Sequence, residues 1–152
     1  MSPTTQMAIK SQLIGVWELV SYIDEQHGRE NRYPLGTKPE GYLIYTPEGF
    51  VSAQLMKPGR RMFQSHDWHE GTPEEYQEAG RGYIAYCGRY EVDEEKRTVA
   101  HIPSVSLLPN LIGGRHVRTV TLCEGTLTLC ASGVSTENEP GLISRLQWRK
   151  FA

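Results

Sequence analysis

This chain is poor in paired cysteine chemistry. Cys87, Cys123 and Cys130 are odd in number and none stands in a C-x-x-C spacing, so neither a disulfide framework nor a zinc knuckle is written here, and a reducing cytoplasm is the expected setting. Cys123 and Cys130 flank Glu124-Gly125, which leaves a bridge between adjacent strands open at this level. An excess of one charge is also missing. The 16 Lys and Arg residues face 18 Asp and Glu, a formal net charge of −2, and the basic residues are scattered. Such a surface does not favour a phosphate backbone or an anionic bilayer, so neither nucleic acid nor membrane is an expected partner. No apolar run approaches the length of a bilayer span, and MSPTTQMAIKSQ lacks the basic start and apolar core of a cleaved secretion signal. Nor is there a glycine-rich phosphate loop, a serine elbow or a cysteine with a marked histidine partner, so no cofactor and no covalent catalysis are expected.

What is present is alternation. Hydrophobic residues make up 38% of the 152, lean for a solid core, whereas 8 Tyr and 15 Gly suit a sheet with many turns and an amphipathic interior. Period-two patterning broken by turn residues gives about eight strands, near 13–23, 41–46, 49–56, 82–93, 97–107, 115–124, 126–133 and 142–151. Pro47-Glu48-Gly49, Asp93-Glu94-Glu95-Lys96 and Glu124-Gly125 are hairpin-length links. The expected fold is all-β, an eight-stranded antiparallel up-and-down barrel over a single domain of residues 1–152, with residues 1–12 as an N-terminal extension. A short helix over 5–11 would plug one end.

One further helix precedes the fourth strand. Thr72-Pro73-Glu74-Glu75 supplies a capping hydroxyl, a proline at the first helical position and a glutamate that reaches back to the cap; Gly80 marks the expected stop. With the long polar and aromatic connection before it, residues 57–81 form an expected lid over the barrel mouth, Phe63 and Trp68 closing on a ligand. His66-Asp67-Trp68-His69-Glu70 carries a His-x-x-His pair, too weak a pattern for a metal site without a third ligand.

The segments LIGVWELVSY, YPLG at 33–36, GYLIYTPEGFVSAQLMKPGR at 41–60, GTPEEYQEAGRGYIAYCGRYEVD at 71–93, VSLLPN at 105–110 and the closing QWRK resemble, in order and spacing, the lipocalin-like domain proteins of bacteria and fungi. Gly15-x-Trp17 is similar to the wider lipocalin signature, in which the Trp lies at the barrel floor beneath an Arg of the last strand; Arg149 is the matching residue. The resemblance implies a calyx that binds a small hydrophobic molecule. It further implies kinship with cofactor-free isomerases and cyclases of secondary metabolism that act on polyketide or terpenoid intermediates. Where that family pattern has a second His, an acid and an aromatic residue, this chain has Ile102, Ser104 and Leu111.

Residue chemistry points to the same interior. His101 sits among apolar residues on its strand and is the leading acid or base. Arg118, on a face with His116, would hold an oxyanion, and Tyr86, sharing a face with Tyr90, would supply a proton. Tyr42 with Ile44, and Ser52 with Gln54 and Met56, form mixed faces suited to an oxygenated ligand. The expected function is a barrel that binds a small hydrophobic molecule, leaning to an isomerase or cyclase working through His101, Arg118 and Tyr86. The alternative is a carrier that leaves its ligand unchanged. A homodimer is among the assemblies left open.

Overall fold

A computed structural model describes residues 7–132 and 141–152. Eight antiparallel strands close into a barrel in sequence order: β1 (Gly15–Glu25), β2 (Glu40–Tyr45), β3 (Phe50–Met56), β4 (Tyr83–Asp93), β5 (Thr98–Ser106), β6 (His116–Cys123), β7 (Thr126–Ser132) and β8 (Ile143–Lys150), with β8 returning to β1. Each strand thus has a paired neighbour on both sides, over part or all of its length, as closure requires. Turn chemistry sets the hairpins. Glu124 and Gly125 both have positive φ (46° and 80°), the two-residue conformation whose twist matches its strands. Cys123 pairs with Thr126 and Cys130 with Thr119, so the two cysteines do not face each other, and all three cysteines are free thiols.

Helix α1 (Ile9–Leu13) plugs the end where β1 begins, burying Ile9 and Leu13. The plug lies later than the expected 5–11, and residues 1–6 are outside the described residues. The Glu94 carboxylate of the β4–β5 hairpin fastens it by accepting from the amides of Ile9 (2.7 Å) and Lys10 (3.1 Å). Trp17 lies on the floor above, its indole N–H donating to Leu13 O at 2.8 Å. The cation over its ring is Lys150, Nζ 4.6 Å from the centroid, not the expected Arg149, which points outward and pairs with Glu18. The glycine of Gly15-x-Trp17 thereby acquires a physical reason. A Cβ on Gly15 (φ +131°) would meet Lys150 Nζ and the carbonyl of Ala152, so the missing side chain is the space through which the lysine reaches the tryptophan.

Helix α2 (Pro73–Arg81) has the full capping box, with Glu75 N donating to Thr72 Oγ1 and Thr72 N to Glu75 Oε1; it stops at Gly82 rather than Gly80. Glu75 also accepts from Gln64 N, and these backbone donors hold its carboxyl below the usual range. Arg61 N and its guanidinium engage Glu78, and Phe63 packs edge-on to Tyr76. The 57–72 connection is therefore wrapped against its own helix.

Candidate functional site

Strand register decides which side chains can meet inside. Gly15 pairs with Tyr45 and Trp17 with Leu43; Tyr45 in turn pairs with Val51 and Leu43 with Ala53. Odd-numbered positions of β2 and β3 thus face the interior, where Leu43, Tyr45, Val51, Ala53 and Leu55 are buried. Tyr42, Ile44, Ser52, Gln54 and Met56 fall on the opposite, outer face, which corrects the expectation that they line the cup. Tyr42 is instead covered edge-on by Phe151, and Gln54 accepts a hydrogen bond from Tyr83 on the outer wall. Tyr42, Gln54, Met56 and Tyr83, together with Glu18, Pro39 and Glu40, border an open groove of about 370 Å³.

The interior cavity opens towards the ends of β1, β3, β5 and β7 and has a volume of about 120 Å³. Leu43, Ala53, Leu55, Leu129 and Leu146 supply apolar wall; Tyr86, His101, Arg118, Tyr22, Ser144 and Trp148 supply its polar groups. His101, on β5, is 2% exposed. Both ring nitrogens are taken, Nε2 by the hydroxyl of Tyr45 and Nδ1 by the hydroxyl of Tyr86, each at 2.6 Å. Burial and the nearby charges of Arg118 and His116 lower its pKa to about 3, so the imidazole is neutral near pH 7.

A neutral imidazole has one donor and one acceptor, and the surroundings select which is which. Tyr45 is fully buried, and His101 is its one hydrogen-bond partner among the described residues. If Tyr45 accepted, its own proton would be stranded in the core, so Tyr45 donates to Nε2 and the proton of His101 resides on Nδ1. Tyr86 then accepts from Nδ1, which leaves the Tyr86 hydroxyl proton free to donate. Tyr86 lines the cavity, and burial pushes its pKa up to about 12, keeping that proton in place.

The neighbouring polar groups are also donors. Arg118 lines the cavity from β6, donates only to its neighbouring Val117 carbonyl at 3.2 Å, and has no carboxylate partner among the described residues. Trp148 is buried, and its indole N–H has no hydrogen-bond partner among the described residues. Ser144 donates to Asp24 at 2.6 Å. Burial and the charge of Asp24 raise the pKa of Tyr22. Sequence reading brought together His101, Arg118 and Tyr86; Tyr45, Tyr22, Ser144 and Trp148 were missed because their inward parity depends on register.

The remaining anticipated residues lie elsewhere. Tyr90 is buried towards the closed end, packs edge-on to Tyr45 at 4.8 Å and donates to Thr46 O, so it is part of the floor. His116 is half-buried beside the β5–β6 loop, 3.2 Å from Leu111 O. Phe63 and Trp68 do not border the cavity, and Trp68 is 78% exposed, contrary to a lid over the ligand. The fastening of their segment to α2 explains the displacement. His66 through Glu70 are exposed, and among the described residues no group of three or more His, Cys, Asp or Glu side chains is placed to hold a metal.

Two comparisons with known proteins bear on this geometry. The 4′-hydroxy-3′-methoxypropiophenone carrier protein ppsC of Aspergillus oryzae is 35% identical over 107 residues, covering 66% of this chain and 91% of that protein. The model of the lipocalin-like domain family matches residues 14–151, all eight strands. Barrel order, the Gly15-x-Trp17 floor and a match over nearly the whole chain agree: the protein belongs to the lipocalin-like domain family.

Proposed function

We propose that this barrel carries a small oxygenated aromatic metabolite, held inside the cup with an oxygen against the Tyr86 hydroxyl. The observation that carries this reading is the cavity itself. Its 120 Å³ is close to the roughly 150 Å³ of an engineered apolar cavity that accepts benzene, so it encloses one ring and leaves substituents to extend towards the open end. Its polar groups orient rather than react. His101, the leading acid or base from sequence, is held neutral behind two tyrosines and has no nitrogen left for a substrate. The Aspergillus relative is named as a carrier of an aryl ketone, whose carbonyl, methoxy and hydroxyl oxygens match a donor-rich pocket. Binding without turnover uses every feature described and requires none that is missing.

Calorimetric titration with 4′-hydroxy-3′-methoxypropiophenone tests the reading. Saturable one-to-one binding is expected, with the compound recovered chemically unchanged. Tyr86→Phe removes one hydrogen bond to the ligand, about 1 kcal/mol, and weakens binding by roughly five- to tenfold. Conversion to a rearranged or cyclised product would overturn the carrier in favour of a cofactor-free isomerase or cyclase. Absence of saturable heat would overturn both.

A further inference from the structure

The polar inventory of the cavity is unbalanced. Tyr86 offers a free hydroxyl proton, Trp148 an unpartnered indole N–H, and Arg118 a guanidinium without a counter-charge among the described residues. His101 is bracketed by Tyr45 and Tyr86, and the nearest carboxylate, Asp24, lies outside the lining and takes the Ser144 hydroxyl. A set of donors beside a half-buried positive charge, with no carboxylate in the lining, is completed by a ligand that brings both acceptor lone pairs and negative charge.

We infer that the ligand is bound as an oxyanion, a single-ring phenol held in its phenolate form between the Tyr86 hydroxyl and the Arg118 guanidinium, its proton released to solvent on binding. The inference rests on the carrier reading and adds the ionisation state of the cargo. The polar lining comes from Tyr22 of β1, Tyr86 of β4, His101 of β5, Arg118 of β6 and Ser144 with Trp148 of β8, whereas the lining residues of β2, β3 and β7 are apolar; Tyr45 and His116 face His101 from outside the lining. Asp24 opposes an anion, but its carboxylate is engaged by Ser144 at the strand end and it does not line the cavity. The tyrosines remain protonated, since burial raises the pKa of Tyr22, Tyr45 and Tyr86 alike. Of these, Tyr86 has its proton free to donate to a phenolate of lower pKa, since that of Tyr45 is committed to His101 Nε2. His101 stays neutral, so Arg118 is the fixed positive charge beside the ring.

The test uses 4-nitrophenol, whose visible absorbance rises on ionisation, and 4-nitroanisole, its methyl ether, which cannot ionise. With the full-length protein in excess, the bound nitrophenol is titrated from pH 5 to pH 9. The expected result is an apparent pKa at least one unit below that of the free compound, which is at least a tenfold preference for phenolate over phenol. Arg118→Gln should bring that pKa back to or above the free value, with near-UV circular dichroism confirming that the variant is folded. If the bound pKa is unchanged or raised while 4-nitroanisole binds, the phenolate inference fails and the carrier reading stands. If neither probe binds, the carrier reading falls with it. A lowered pKa that survives Arg118→Gln would overturn the role assigned to the arginine. The comparison of the two probes on the unaltered protein needs no variant to fold.

Discussion

Lowering the pH from 7 to 4 should remove about 3 kcal/mol of unfolding free energy through one side chain, His101. Its folded pKa of about 3 lies below the ordinary 6.5, so between those values the unfolded chain binds more protons than the folded one. Stability therefore rises with pH across that window, and it is lost as pH falls from 6.5 towards 3. The cause is structural. Protonation would place a charge at a site 2% exposed, next to Arg118, and would oblige Nε2 to donate towards a tyrosine that is itself donating. Urea denaturation of the wild type and His101→Gln at pH 7, 5.5 and 4 checks this. The wild type should lose about 3 kcal/mol more than the variant over the range, while acid effects on carboxylates such as Glu75 are common to both. Parallel pH curves would show that His101 charges freely inside the fold.

Tyr45→Phe alone should destabilise by about 2 kcal/mol, because it leaves His101 Nε2 buried without a donor. Adding His101→Leu to that variant removes the stranded acceptor, so the second substitution should cost much less than it does in the wild type. A coupling energy of roughly 1–3 kcal/mol between the two positions is expected from a double-mutant cycle. Additive effects would mean that the 2.6 Å contact between Tyr45 and His101 carries no energy of its own. Tyr86→Phe should cost less stability than Tyr45→Phe, since the Tyr86 side chain borders a cavity that water can enter.

The barrel was legible because its signals are local. Alternation, the hairpin residues and the Thr72–Glu75 capping box each act over a few residues, and the strands lie within about two residues of the expected ranges. The side of each strand that faces inward was legible only where the two faces differ chemically. On β6 the sequence groups Arg118 with His116, Val120 and Leu122 but leaves inward and outward readings open, and the burial pattern, with Val117, Thr119 and Thr121 exposed, turns that face inward. In GYLIY, Tyr42 and Ile44 are as apolar as Leu43 and Tyr45, and only the pairing of Trp17 with Leu43 decides between them. The lid failed for a different reason. Exposed aromatics in a long loop fit closure over a ligand and packing on the loop's own helix equally well, and the contacts of Glu75 and Glu78 that select the latter are tertiary.

The central claim is that the ligand enters the cup and meets the donors of its lining rather than the larger groove outside. Titrating isotope-labelled protein with 4-hydroxyacetophenone while following the indole N–H signals by NMR tests it most directly. Trp148 should shift saturably, because its N–H lacks a partner among the described residues and its side chain lines the cavity. Trp17, already bonded to Leu13 O, and the exposed Trp68 should stay near their starting positions. Saturable shifts confined to the backbone of Tyr42, Gln54 and Met56, with Trp148 unmoved, would contradict the account.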